Sequence, residues 1–518
     1  MNFFRVWNVL LLILLSQFQF ASCQNDWAVL SNQQKIALRS QRDIMSNVTI
    51  DQLPIIGGDL RHVLFHENFI DPNITENDNT TNTRYLTTFI DLLSTGMQGF
   101  IIDIEQKNNS WVISNTSLPF GTFLNTLQIF IHTTNNNLVA NMLVMFLRLP
   151  NGTIIQSTDA LQRYPQLNLT YLFDQTIQSS SIYTPLDLAT DRSGGNAWDT
   201  HGRSMEDGWP TFGTFIYSHR KRMIIIELTD ILKSTDLPYS FNRTILHYDT
   251  KNSTFECPNT ESALNDISTL HWRFLNSVFT PNDIGEYVSC GISPIISNNY
   301  SNSTIRNIAK LFQSTIWSWG PNQPIYTRIE HGTVTKNDTL QAYNCALLKY
   351  YSTNDSITWE VANCYRNERG LCRYKDRSFI WHVTEDEDTY FEFDNFKGSK
   401  CPDDYTFSLP RTPLEERALL LYLKNRTIND IDIWIDINSV SVSNCWVNGG
   451  PYATCPYQKA VSTRNFVKML TPPSVISFAL LALVFYLSIL PLPIHDNRKN
   501  WRRISNKVSK SEAEGVPS

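Results

Sequence analysis

Between residues 24 and 256 the chain holds no cysteine, so that stretch cannot lean on cross-links and must be stable through its own core. A stretch of that length is large enough to bury one. A surplus of positive charge is missing too, with 43 Lys and Arg against 49 Asp and Glu and a formal net charge of −6. No basic face for nucleic acid is therefore expected, and no direct nucleic-acid partner. Long apolar runs are absent everywhere except near the two ends, which leaves room for one membrane span at most.

The first run, Val6 to Leu15, follows Arg5 and is too short to cross a bilayer, and Ala21-Ser22-Cys23 ahead of Gln24 supply small residues for cleavage. Residues 1–23 read as a signal peptide. The second run, Val475 to Ile494, is about 20 residues and ~30 Å long as a helix, which matches the hydrocarbon core. A transmembrane helix is expected over 474–494, after a stalk at 461–473. Pro472 and Pro473 would sit in its first turn, and Pro491 and Pro493 would loosen its far end. Arg498, Lys499, Arg502 and Arg503 follow at once, so the positive-inside rule puts residues 495–518 in the cytosol as a short basic tail. The remainder then faces the endoplasmic reticulum lumen, a later secretory compartment or the exterior, in a single-pass type I arrangement.

Asparagine chemistry agrees. Fourteen Asn-x-Ser/Thr acceptors lie between the two runs: Asn47, Asn73, Asn79, Asn108, Asn115, Asn151, Asn168, Asn242, Asn252, Asn299, Asn302, Asn337, Asn354 and Asn425. Sugar is attached only in the lumen and needs exposed chain, so a glycoprotein is expected. Eight cysteines remain after signal removal: Cys257, Cys290, Cys345, Cys364, Cys372, Cys401, Cys445 and Cys455. An even number in a secreted region points to disulfides, although the spacing alone leaves on the order of 100 connectivities open.

In residues 24–310 short apolar runs alternate with helical spacing. Gly99 to Ile104, Leu143 to Leu147 and Met223 to Leu228 suit strands buried on both faces, as in a parallel sheet. Tyr85 to Leu93 and Phe120 to Ile131 have helical periodicity. The expected class is α/β, a β/α barrel first and a doubly wound open sheet second.

Leu53-Pro54-Ile55-Ile56-Gly57-Gly58, then Gly96-Met97-Gln98-Gly99-Phe100-Ile101-Ile102-Asp103, resemble the opening of phosphatidylinositol phospholipase C-like (β/α) barrels. Trp209 to Phe212 and Lys221 to Ile226 resemble a later strand of that family. The resemblance implies a catalytic pair of histidines, one general base and one general acid, beside an arginine or calcium at the phosphate. This chain has Asp59 where the first histidine is due and no histidine in Trp111 to Phe123, where the second is due. Gln98 stands at a common arginine position, Ile101 at a glutamate position, and Asp103 alone is kept. Each missing proton carrier removes about 10²–10⁴ in rate, so a pseudoenzyme barrel is expected. The alternative is a phosphodiesterase or glycosidase using Asp59, Asp103, Glu105 or Glu227, since carboxylates at strand ends, Asp230 among them, sit where barrel enzymes keep their catalysts. His62 and His66 are four apart, but a third ligand is absent and no metal or cofactor is expected.

Residues 311–460 differ in character. Trp317 to Pro324, Asn344-Cys345-Ala346, Trp359, Cys364 and Cys372 resemble the second half of a C-type lectin-like domain. Tyr390 to Phe393, Cys401, Phe407 to Glu416 and Ile433 to Asn438 resemble its first half, so the domain reads as circularly permuted. Thr384 to Thr389 would be the joining turn. Thr412, Pro413 and Glu415 form an N-cap, first helical position and capping box for a helix burying Leu414, Ala418, Leu421 and Tyr422. The resemblance implies the pairs Cys345–Cys364 and Cys372–Cys401, leaving Cys445–Cys455 and Cys257–Cys290. The lectins' calcium tripeptides read here as Gln323-Pro324-Ile325 and Trp359-Glu360-Val361, in which isoleucine and valine remove two oxygen ligands. Trp317, Trp319, Trp434 and Trp446 are expected to fill core.

Taken over nearly its full length, the chain resembles the fungal maintenance of telomere capping protein 6 family. The resemblance implies a role in telomere capping. With the folded mass behind a membrane, that role would be indirect, and the lumenal part would be a noncatalytic binding or maturation factor for a glycoprotein or glycan.

Overall fold

The computed structural model describes residues 30–70, 78–107, 109–136, 138–150, 164–232, 236–249, 257–325, 343–393, 400–426, 429–457, 463–489 and 497–513. The expected signal peptide and the expected acceptors Asn73, Asn108, Asn151, Asn252 and Asn337 lie outside these residues. Met1–Tyr457 is one compact unit and Gln458–Ser518 a second.

In the first unit the strands are β1 (Gly57–Asp59), β2 (Gly99–Lys107), β3 (Ser110–Ile113), β4 (Leu143–Arg148), β5 (Ile182–Tyr183), β6 (Met223–Glu227), β7 (Ser240–Asn242), β8 (His247–Asp249), β9 (Arg273–Ser277) and β10 (Ser293–Ile296). They form one sheet in the order β5-β6-β4-β2-β1-β10-β9-β8, with β7 also on β6 and β3 on β2. All ladders are parallel apart from the β2/β3 hairpin. Because β10 pairs β1, Gly57 opposite Ile295, the sheet curls as a barrel does. No ladder joins β7 to β8 among the described residues, so the ring is partial. The expected strand–helix alternation also lapses there: among the described residues β6, β7 and β8 follow one another without an intervening α-helix.

The β-branched runs form strands because both of their faces are covered. Ile101, Phe146 and Ile226 stand side by side in register on the inner face. Phe100, Ile102, Met145 and Ile225 lie on the outer face, in one apolar cluster with Phe89 and Leu92 of the helix Asp78–Thr95 and Phe123 and Leu127 of the helix Phe120–Thr133. The inner cluster also takes in Ala37 and Ile44 of the helix Asn32–Ile44, whose Ser31 and Gln34 complete a capping box. Gly57 has no room for a side chain: a Cβ there would meet the Gly99 carbonyl oxygen at 2.8 Å and collide with Ile295.

A second sheet is built from β11 (Cys345–Tyr351), β12 (Ser356–Ala362), β13 (Glu368–Tyr374), β14 (Trp381–Asp388), β15 (Tyr405–Phe407) and β16 (Ile431–Asn438). Its order is β12-β11-β16-β13-β14, with β15 on β13. The expected turn at Thr384–Thr389 is mostly strand, because β14 continues to Asp388, and Tyr390–Phe393 is helical rather than extended. Tyr390 is fully buried there, edge-on to Trp434. Thr412 caps the helix Pro413–Asn425, but the capping box stays open: Glu415 accepts from the Arg411 amide, 2.7 Å, and from the Arg411 guanidinium instead. Leu419 and Leu423 join Leu414 and Ala418 in the core, while Leu421 and Tyr422 are only half-buried. Trp319, Trp434 and Trp446 are buried, and Trp317 is half-buried.

Four disulfides link Cys257–Cys290, Cys345–Cys364, Cys372–Cys401 and Cys445–Cys455, with Cα separations of 5.2, 5.2, 5.8 and 6.1 Å. Contacts also tie the two sheets' regions together. Trp319 Nε1 donates to Ser40 Oγ, 2.7 Å, and Arg417 Nε to the Pro258 carbonyl, 3.2 Å.

In the second unit one helix, Thr463–Ile489, contains a stretch, Leu470–Ser488, of mean hydropathy 1.9 that is long and apolar enough to cross a membrane. The helix starts before the expected stalk ends, so Pro472 and Pro473 lie inside it and not in its first turn. Residues 490–496, with Pro491 and Pro493, lie outside the described residues. A further helix spans Asn497–Ala513.

Candidate functional site

In a parallel barrel the C-terminal strand ends gather inward-facing side chains on one rim. Here Asp59 ends β1, Arg148 ends β4, and Asp103 sits opposite Arg148 in the β2/β4 register. Strand parity aims all three inward, one step above Gly57, Ile101 and Phe146. Arg148 Nε donates to Asp103 Oδ1 at 2.7 Å, and its Nη2 donates to Asp103 Oδ2 at 3.2 Å and to both Asp59 oxygens at 3.1 Å. Asn276, in β9, donates from Nδ2 to Asp59 Oδ2 at 3.2 Å and to Tyr248 Oη at 2.9 Å, while Ser297 donates to its Oδ1. Arg61 stands 3.8 Å from Asp103.

Burial orders the electrostatics. The Asp59 and Asp103 side chains are 1% and 10% exposed, and Arg148 is 26% exposed. Burial pushes the Asp103 carboxyl above its usual range despite Arg148. Burial alone would lower the Arg148 guanidinium, yet the two carboxylates outweigh it and raise its pKa. Tyr248 is pushed up to about 12, chiefly by burial, so it stays a neutral phenol at neutral pH. The result is a cation clamped between two anions, with the Arg148 Nε and Nη2 donors engaged by Asp59 and Asp103.

The other expected residues go elsewhere. Glu105 pairs with Lys107 at 2.6 Å. Glu227 is buried and accepts from the amides of Thr229 at 2.9 Å and Ile231 at 3.3 Å, as well as from the Thr229 hydroxyl, so it ties down the turn after β6. Asp230 is exposed, at a positive φ of 55°. His66 Nε2 lies 2.8 Å from the Tyr300 carbonyl oxygen, and His62 is half-buried. Among the described residues no three His, Cys, Asp or Glu side chains are grouped to hold a metal. Gln98 lines a cavity of about 100 Å³ with Gln41 and Arg42 of the helix Asn32–Ile44, and Ile101 is buried in the sheet. In the second sheet's region, Gln323 Oε1 accepts from the amides of Ile325 at 3.1 Å and Val361 at 3.3 Å. Trp359 donates to Glu416 at 3.1 Å.

Arg148, Tyr248, Asn276 and Ser297 escaped the sequence reading. Arg148 was findable: it is the lone charge within the apolar run Leu143 to Leu149, at the parity of Val144 and Phe146. Tyr248 and Asn276 sit in short strands, β8 and β9, and Ser297 just beyond β10, all too short for a periodicity to mark.

Residues 28–318 match the family model described as the MTC6 partial TIM-barrel domain. The chain is 48% identical over 493 residues to maintenance of telomere capping protein 6 of Saccharomyces cerevisiae strain YJM789, covering 95% of this chain and 93% of that protein. It is 44% identical over 495 residues to the protein of the same name from Zygosaccharomyces rouxii, with 95% and 94% covered. Among solved structures it is similar to a phosphatidylinositol-specific phospholipase C from Staphylococcus aureus, at 10% identity and a TM-score of 0.30, over 54% of this chain and 98% of that one. With the family's partial barrel matched and near full-length identity to its curated relatives, the chain belongs to the maintenance of telomere capping protein 6 family.

Proposed function

We propose that the chain is a single-pass type I membrane glycoprotein whose large lumenal part binds without catalysing, and that it serves telomere capping indirectly from the secretory pathway. The observation that carries this reading is the Arg148 network. A phospholipase-like rim needs two proton carriers beside a cation, whereas here the strand-borne cation Arg148 is held by Asp59 and Asp103 and both expected histidine positions lack histidine.

We read the second sheet and the helix Pro413–Asn425 as a permuted C-type lectin-like module that has lost calcium-dependent sugar binding. In support, Gln323, at the position of a lectin ligand, spends its side-chain oxygen on two backbone amides. The membrane reading is supported by the Leu470–Ser488 stretch, the basic residues after it and the disulfides before it. Its ligand class would be a glycoprotein or glycan of the lumen.

The test is direct. Full-length protein, purified in detergent and offered phosphatidylinositol and oligosaccharides, is expected to release no product. Turnover that disappears in Asp103→Asn would replace this reading with a lumenal hydrolase.

A further inference from the structure

The helix Asn497–Ala513 is amphipathic in a specific way. At 3.6 residues per turn, Trp501, Ile504 and Val508 fall within an arc of roughly 60°, while Lys499, Arg502, Arg503, Lys507 and Lys510 fall on the opposite side within roughly 140°. The three apolar side chains are 67%, 51% and 50% exposed. Residues 490–496 alone separate it from the helix Thr463–Ile489, and so short a linker reaches about 25 Å at full extension.

We propose that this helix lies in the interface of an anionic bilayer, with Trp501, Ile504 and Val508 in the acyl boundary and its lysines and arginines against lipid phosphates. The inference rests on the reading above that Thr463–Ile489 spans. Two features on the chain select a lipid surface as the occupant. One is charge complementarity: five cations and no acid from Lys499 to Lys510 match an anionic surface. The other is continuity, since a span delivers the helix to the bilayer surface without an association step. A tryptophan at the edge of the apolar arc suits the headgroup level.

The experiment uses the full-length protein in vesicles of phosphatidylcholine, with or without phosphatidylserine. Single nitroxide labels are placed by Ile504→Cys, Arg503→Cys and Leu480→Cys, and accessibility to oxygen is compared with accessibility to a water-soluble nickel chelate. With phosphatidylserine, the label at 504 is expected to favour oxygen and that at 503 nickel. Replacing Arg502, Lys507 and Lys510 by Gln should cut the ratio of surface-bound to unbound helix about fivefold per charge. A label at 504 that meets nickel as readily as one at 503 overturns the proposal. So does one shielded from both reagents in every vesicle, which would mean a protein contact. The label at 480 reports separately: nickel access there sinks the spanning reading, while the contrast between 504 and 503 still decides the surface helix.

Discussion

Arg148 Nη2 lies 3.1 Å from each Asp59 carboxylate oxygen, joining the end of β4 to the end of β1 across the barrel rim. Asp59 is almost wholly buried, so this contact governs both the stability and the chemistry of the rim.

Arg148→Met should leave buried Asp59 without its counter-charge and Asp103 with only the exposed Arg61, 3.8 Å away. The expected loss is about 2–4 kcal/mol in denaturant unfolding, somewhat below the usual figure for a broken buried pair because the guanidinium is partly exposed. Adding Asp103→Asn should recover part of it. An unchanged midpoint in the single variant would show that the network is not a structural clamp.

Asp43 gives a pH dependence. Burial raises its pKa to about 6, more than Arg42 at 2.9 Å lowers it. The folded state then binds a proton that the unfolded chain, titrating near ~4, has released, so the stability contributed by this group is full below pH ~4 and is lost as pH rises through 6. The decline attributable to this group is about 2–3 kcal/mol. Unfolding midpoints of the parent and Asp43→Asn between pH 4 and 7 should diverge accordingly, and parallel curves would remove Asp43 as the cause.

Gly57→Ala should destabilise the barrel by about 1–3 kcal/mol, as overpacking does. The added methyl meets the Gly99 carbonyl and Ile295, and backbone cannot step aside. A compensating Ile295→Val should restore part of the loss, and a thermal shift of zero for Gly57→Ala would mean that β1 and β2 are farther apart.

Endoglycosidase treatment should increase gel mobility. Of the nine described acceptors, Asn47, Asn79, Asn115, Asn242, Asn299, Asn302, Asn354 and Asn425 are exposed, and Asn168 is half-buried. Asn168 caps the helix Leu169–Thr176 by accepting from the Tyr171 amide at 3.3 Å. Unchanged mobility would contradict lumenal placement.

The barrel's longer elements were legible because their periodicity is strong: the apolar runs became β2, β4 and β6, and the two helical stretches became helices. The run from β6 through β7 to β8, which has no α-helix among the described residues, was not legible, since three-residue strands carry no period. Asp59 and Asp103 were visible as rim residues, but their shared partner is 89 and 45 positions away in sequence.

The sequence by itself determined the apolar runs, the cysteine-free half, the even cysteine count, and the loss of histidine from the expected catalytic positions. Composition and local spacing are enough for the first three, and the family resemblance supplies the positions for the last. Tertiary structure alone decided that Arg148 would neutralise Asp59 and Asp103, that Glu227 would cap a turn, and that Glu415 would turn from its own helix cap to Arg411. Those outcomes depend on which distant side chains burial brings within hydrogen-bond reach, and a buried charge accepts whichever partner the fold supplies.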